Sequence, residues 1–348
     1  MLDNIGLPAS GVSLAFSDSA TVSSADGEIL VSLKPGEHGS TPAYVETLRR
    51  RLREEFPDLT FFFQPADIVS QILNFGLAAP IDIQVVGRDP KNLQIAQEIA
   101  KRVAGIPGAV DVHLQQVPEV PQIDVEVDRT LAQQLGLTQR DVAGSLLVSL
   151  SSSGQTAPNF WLNPKTNVNY SVAVQTPQHR IDSLGALTNT PIMAPGLQRP
   201  QLLSNLATTS RSVAPAVVSH YNVQPVYDVQ ASVQGADLGS VLRGIDAVVA
   251  DVTPRLPRGS QIAVRGQAES MRQSFAGLSY GLIFAILLVY LLMVVNFQSW
   301  LDPFIILMAL PGALCGIVWM LFVTQTTISV PSLMGAIMCI GVATSNSI

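Results

Sequence analysis

Residues 81–114 read IDIQVVGRDPKNLQIAQEIAKRVAGIPGAVDVHL. The stretch opens on an alternating strand, Ile81-Asp-Ile-Gln-Val-Val-Gly, and closes on a second one, Val110-Asp-Val-His-Leu. Between them the spacing predicts an amphipathic helix near residues 90–104, with Leu93, Ala96, Ala100 and Val103 facing one way. The same pattern returns further on. Val226-Tyr-Asp-Val-Gln-Ala-Ser-Val leads to a helix near residues 238–252, where Leu238, Leu242, Ile245, Val249 and Val252 align, and then to Gln261-Ile-Ala-Val-Arg. VVGRDPKNL matches VQGADLGSV, and GIPGAVDVHL matches LPRGSQIAVR. Two βαβ units of this kind make a four-stranded sheet covered by two helices, the ferredoxin-like arrangement. A looser third copy runs from Glu28-Ile-Leu-Val-Ser-Leu through a helix near residues 41–56 to Leu59-Thr-Phe-Phe-Phe. In its helix Val45, Leu48 and Leu52 share a face, and Arg49, Arg50, Arg51 and Arg53 project elsewhere as a solvated face.

More than a hundred residues separate the two matching copies, so residues 122–222 read as an insertion. It begins with the strand Ile123-Asp-Val-Glu-Val, continues through helical stretches at 130–135 and 138–150, and passes the loop Pro158-Asn-Phe-Trp-Leu-Asn-Pro to a strand at 168–175. Its Ser, Thr, Gln, Asn and Pro content with little charge suits a protruding contact domain. Trp161 and the strand alternation imply packing, which a linker would lack.

Only 13% of the 348 residues are charged, 20 basic and 26 acidic, against about 25% in an average soluble protein. The shortfall has one source. Every Lys and Arg lies at or before Arg272, and Asp302 alone among the acids lies after it, so the last 76 residues (348 − 272) carry one formal charge. Residues 275–295, FAGLSYGLIFAILLVYLLMVV, are uncharged, and at about 1.5 Å per residue they span the roughly 30 Å hydrocarbon core of a bilayer. A polar break, NFQSWLD at 296–302, precedes a second apolar run at 304–323. Trp300 and Asp302 in that break can reach headgroups and water. A third run, 331–348, stops inside its apolar stretch, which reads as a truncated helix and the chain as a fragment. The loops between these helices hold no Lys or Arg, so charge does not set their orientation. The start, Met1-Leu-Asp-Asn-Ile-Gly-Leu-Pro, has neither the basic end nor the apolar core of a signal peptide.

Catalytic patterns are absent from the sequence. None of Lys34, Lys91, Lys101 and Lys165 follows a glycine, so no phosphate-cradling loop exists and ATP is not indicated. His38, His113, His179 and His220 stand apart from one another and from any cysteine, without zinc spacing. The Ser149–Ser153 run lacks the Gly-x-Ser-x-Gly turn. Five of the eight methionines are in the apolar tail, so no thioether ladder marks the soluble part, which argues against metal export. Cys315 and Cys339 also lie in the tail, where packing explains them. No basic stripe suggests nucleic acid. The chain is read as a non-enzyme with no cofactor and no metal. What remains is the polar group Thr344, Ser345, Asn346 and Ser347 after Gly341. At bilayer depth such residues serve either helix–helix hydrogen bonding or a wet transport path, and both readings stay open.

The split βαβ pair, Phe297-Gln-Ser-Trp with Pro303-Phe304 after it, Pro311-Gly, and Gly341-Val-Ala-Thr-Ser-Asn-Ser-Ile together resemble the resistance-nodulation-division (RND) efflux permeases. The resemblance covers essentially the whole chain. It implies an α+β fold of ferredoxin-like porter subdomains with an inserted docking domain, followed by transmembrane helices. By that likeness residues 1–75 are a partial porter subdomain, and 76–121 with 223–270 are a second one. Residues 122–222 are the docking insertion. Residues 271–348 are the membrane region of what resembles the C-terminal half of such a permease.

The resemblance further implies a proton-motive-force-driven antiporter in the bacterial inner membrane, soluble region in the periplasm, exporting amphiphilic drugs or other toxic small molecules. Its implied partners are membrane lipid, those amphiphilic substrates, and a homotrimer joined to a periplasmic adaptor and an outer-membrane channel. Thr344, Ser345 and Asn346 occupy the proton-relay positions. The family's Gly-x-x-x-Lys-Asn pattern departs here, because Ser345 precedes Asn346 and cannot carry charge. Phe61 and Phe63 resemble aromatic positions on the substrate path, and residues 16–27 hold the place of the family's switch loop. A different class is a membrane-anchored periplasmic adaptor or sensor domain without drug transport, with a protein-export auxiliary as a variant.

Overall fold

The structure, a computed structural model, describes residues 1–7, 21–34, 36, 38–64, 68–74, 76–154, 156–193, 199–308 and 310–347, the side chains of 343–347 excepted. Strands β1 (Leu2–Ile5) and β2 (Gly27–Leu30) pair as a ribbon, and helices α1 (Thr41–Glu55) and α2 (Ile68–Leu73) follow. Next come β3 (Ile81–Val86), α3 (Lys91–Val103), β4 (Ala109–Leu114) and β5 (Val120–Val127). Helices α4 (Arg129–Gln134) and α5 (Gln139–Leu150), hairpin strands β6 (Asn159–Leu162) and β7 (Asn169–Val172), and α6 (Leu184–Thr188) continue the chain. After β8 (Pro191–Ile192), β9 (Gln201–Leu202) and β10 (Ala207–Ala214), strands β11 (Ser219–Tyr221) and β12 (Gln224–Val233), helix α7 (Leu238–Val252) and strand β13 (Gln261–Gly266) complete the soluble part. Helices α8 (Gln267–Phe297), α9 (Leu301–Leu307), α10 (Leu310–Val323) and α11 (Val330–Ser347) end it.

These elements cluster into two units, residues 30–116 with 218–348 and residues 2–29 with 117–217. In the first, one antiparallel sheet runs β4, β12, β3, β13, with β11 beside β4 on the same edge of β12. This is the ferredoxin-like order, made by interleaving two βαβ units. Alternation explains it residue by residue. Ile81, Ile83 and Val85 of β3 and Val229 and Ala231 of β12 point to one face, where Ala96, Ile99 and Val103 of α3 and Leu242, Ile245 and Val252 of α7 cover them. The buried stripe of α3 is Asn92, Ala96, Ile99 and Val103; Ala96 and Val103 are as expected, Ile99 is buried where Ala100 is only partly so, and Leu93 is half-buried.

The third copy does not close. Residues 59–64 form no strand, and β2 pairs with β1 instead. Leu48 of α1 is exposed, so this helix buries no complete apolar face within the described residues. In the second unit β5 and β10 pair over eight residues, and Ala132, Leu137, Val142, Leu187, Ile192, Leu203 and Leu206 form its core.

Helix α8 has 31 residues, eight more at its start than the apolar run alone predicts. Those first turns belong to the soluble sheet's unit. Ala268 is wholly buried in its core, Met271 packs on it, the Ser270 hydroxyl donates to the Leu73 carbonyl at 2.9 Å, and Arg272 pairs with Asp246 of α7. Helix α8 and residues 301–323 are long and apolar enough to cross a membrane. Between them Gln298 takes a left-handed conformation (φ 49°), and the Tyr290 hydroxyl donates to the Trp300 carbonyl at 3.1 Å.

Candidate functional site

The aromatic segment after α1 lies against the edge strand β4. Asp111 sits in that strand with φ 54°, a left-handed conformation that Asp tolerates better than most residues. Its buried carboxylate takes two bonds from Arg49, Nε to Oδ1 at 2.7 Å and Nη2 to Oδ2 at 2.5 Å, and a third from the Phe63 backbone N–H at 3.2 Å. The Arg49 guanidinium also bonds Gln234 at the end of β12 and lies 5.1 Å from the Phe63 ring centroid. Arg49 is thus not part of a solvated face. Arg50, Arg51 and Arg53 are exposed.

Phe63 is covered by Arg49, and Phe61 meets Phe56 edge-on with centroids 6.3 Å apart. Phe62, which sequence reasoning passed over, stacks on His113 at 4.2 Å. A groove of about 620 Å³ runs beside this cluster, lined by Glu46, Arg49, Arg50, Arg53, Gly108 and Gln234.

The second face of the sheet, opposite the helices, is polar. Register places Gln230 across from Asp82 and Asp228 across from Gln84, with Arg265 across from Asp82 on the other side. Asp82 is 1% exposed, and burial pushes its carboxyl up to about 7, with the neighbouring Asp228 charge adding to the rise. Burial likewise raises Asp228. None of these residues stood out in the sequence, although the alternation in Ile81-Asp-Ile-Gln was the available signal. Among the described residues no group of three or more His, Cys, Asp or Glu is placed to hold a metal.

At the other end, Thr344, Ser345 and Asn346 lie on the backbone of α11, and their side chains are outside the described residues. Residues 16–20 of the expected switch loop are also outside them. Its remainder, 21–27, is a turn in which the Asp26 carboxylate accepts from the N–H groups of Val22 (2.9 Å) and Ser23 (2.8 Å).

The profile of the AcrB/AcrD/AcrF family matches residues 10–348. The chain is 25% identical over 292 residues to the cobalt-zinc-cadmium resistance protein CzcA of Cupriavidus metallidurans, which covers 82% of this chain and 27% of CzcA. It is 25% identical over 325 residues to the cation efflux system protein CusA of Escherichia coli, 91% of this chain and 30% of CusA. It is 26% identical over 290 residues to the nickel and cobalt resistance protein CnrA of Cupriavidus metallidurans, 82% and 26%. The chain therefore spans roughly a quarter to a third of the length of these relatives. Its fold superposes on a crystal structure of a heavy metal efflux pump with a TM-score of 0.72 at 24% identity, covering 89% of this chain and 32% of that one. The chain belongs to the AcrB/AcrD/AcrF family of RND permeases.

Proposed function

We propose that this chain is part of a secondary efflux permease of the bacterial inner membrane, driven by the proton motive force, that exports amphiphilic small molecules. The observation that carries the proposal is the junction of β13 and α8. A porter-type sheet runs through Gly266 directly into a membrane-length helix whose first turns are packed in the sheet's own core. A movement of the helix in the bilayer is thereby conveyed to the sheet without an intervening loop. In this reading residues 1–75 and 76–121 with 223–270 are porter subdomains, 122–222 dock other components, and the assembly is a trimer with an adaptor and an outer-membrane channel. Phe61 and Phe63 contact substrate, and Thr344, Ser345 and Asn346 support a hydrogen-bonded proton path whose ionisable groups lie on other helices.

A second reading, export of heavy-metal cations, is favoured by the names of the relatives: CzcA, CusA and CnrA are resistance or efflux proteins for metals. One experiment separates the two. The complete gene is expressed in an efflux-deficient host, and extrusion of a lipophilic cationic dye is measured beside tolerance to cobalt, zinc and copper. Uncoupler-sensitive dye extrusion supports the first reading, and metal tolerance alone supports the second. No change in either overturns export.

A further inference from the structure

Arg265 of β13 stands directly across from Asp82 of β3, so the two side chains leave the sheet on the same face. The guanidinium is turned away from that neighbour. Its Nη2 donates to the Tyr221 hydroxyl at 2.7 Å, its Cζ lies 4.4 Å from the Tyr221 ring centroid, and its Nη1 is 3.7 Å from the Glu269 carboxylate in the first turn of α8. The Nε–H is left buried without an acceptor. Asp82, 1% exposed, shows the complementary gap: Oδ2 accepts from Gln84 Nε2 at 2.9 Å, and Oδ1 is buried without a donor. A spare donor and a spare acceptor thus sit on paired residues.

Buried polar groups in folded proteins are nearly always satisfied, and groups already present can satisfy Asp82 Oδ1 in two ways. When the carboxylate is ionised, the donor opposite it is the Arg265 Nε–H, and a charge-assisted bond draws the guanidinium toward β3. When Asp82 takes a proton from solvent on Oδ1, that oxygen becomes a donor itself. The amide oxygen of Gln230, directly across on β12, is bare and able to accept it. Arg265 then has no charge to reach for inside the sheet and keeps Glu269. At 3.7 Å the Glu269 contact is an ion pair without a hydrogen bond, and both side chains are about a third exposed, which leaves room for the exchange.

We propose that Arg265 is a positioning residue that trades between two carboxylates, Asp82 inside the sheet and Glu269 at the foot of α8, according to whether Asp82 carries a proton. The sheet is tied to the membrane helix more tightly when Asp82 is neutral. Burial and the Asp228 charge hold the Asp82 carboxyl at about 7, so lowering the pH through neutrality moves Arg265 to Glu269. The charged or titratable groups facing the pair are Asp228 on β12, Tyr221 on β11, Glu269 on α8 and, beyond Gln230, His113 on β4. The proposal goes beyond the export reading and is independent of what the permease exports.

The test follows deuterium uptake by mass spectrometry in the full chain in detergent, at the amides of residues 271–274, the first in α8 to make intrahelical bonds. Rates are corrected for the effect of pH on free peptides. The expected result is protection about threefold greater at pH 5.5 than at pH 8.5, the size of a partly exposed ion pair. Asp82→Asn, neutral at both pH values, should show the higher protection at both. Glu269→Gln should show the lower protection at both, and it keeps the test open if Asp82→Asn fails to fold. Equal protection of the unsubstituted chain at the two pH values overturns the proposal. A pH step that survives in Glu269→Gln also overturns it, because Arg265 then does not act through Glu269. So does a step that survives in Asp82→Asn, because another group is then the one that titrates.

Discussion

The guanidinium of Arg49 is held between the Asp111 carboxylate and the Phe63 ring, and the carboxylate has no other charged partner among the described residues. Both side chains are largely withdrawn from water, 14% and 3% exposed, so removing one leaves the other's charge uncompensated. Arg49→Ala is expected to cost about 3 kcal/mol of stability, the lower end for breaking a buried pair. Adding Asp111→Asn, which keeps a side chain suited to φ 54° while removing the charge, should return part of that loss. Urea denaturation of the two variants beside the parent checks both, and equal stability of Arg49→Ala and the parent would show that the pair is idle. Arg49→Lys is not expected to restore the parent value, since one ammonium cannot make two parallel bonds to the carboxylate.

Gly266 joins strand β13 to helix α8 with φ 82° and ψ −147°, a region open in practice to glycine alone. A Cβ there would lie 2.6 Å from the Pro80 carbonyl oxygen, a backbone atom that cannot step aside. Gly266→Ala should therefore destabilise by about 2 kcal/mol or more, read as a lowered Tm of the purified chain; an unchanged Tm would mean that the junction is loose.

The elements around this junction were legible in sequence for a definite reason. In Ile81-Asp-Ile-Gln-Val the period is two, in residues 91–103 it is close to 3.6, and a strand-helix-strand order repeated with matching residues has few ways to bury its apolar faces. The looser copy at residues 28–63 carried the same periodicities without a partner strand to receive them. The hydrogen bond made by Phe63 goes to a side chain, Asp111, which no local pattern announces. The polar patch was hidden for a related reason. Asp82, Gln84, Asp228 and Gln230 look like the solvent side of an alternating strand, and only the tertiary fold shows that this side is buried. The first residues of α8 were missed because Gln267–Ser274 is too polar for a membrane run, yet its Ala268 and Met271 pack on the core of the sheet.

At the scale of the molecule, charge divides the chain more sharply than any turn does. With the single exception of Asp302, ionisable Asp, Glu, Lys and Arg end at Arg272, and family membership places such permeases in the inner membrane. If α8 enters the bilayer from the periplasm, Ser240 and Ser299 lie on opposite sides of it. In a chain whose Cys315 and Cys339 are replaced by serine, Ser240→Cys should react with a membrane-impermeant maleimide in spheroplasts. Ser299→Cys should react only after the membrane is opened. The reverse pattern would invert the orientation.

Thirty-one helical residues at about 1.5 Å each make α8 roughly 46 Å long, some 16 Å more than the roughly 30 Å hydrocarbon core of a bilayer. About half of that excess is the start of the helix, where Ala268, Ser270, Met271 and Arg272 make their contacts. A rod fixed at one end behaves as a shaft, so in the export reading a twist of its far turns would be passed toward β13. Whatever turns the membrane end would then be felt first at the seam between β13 and β3, where Arg265 stands opposite Asp82.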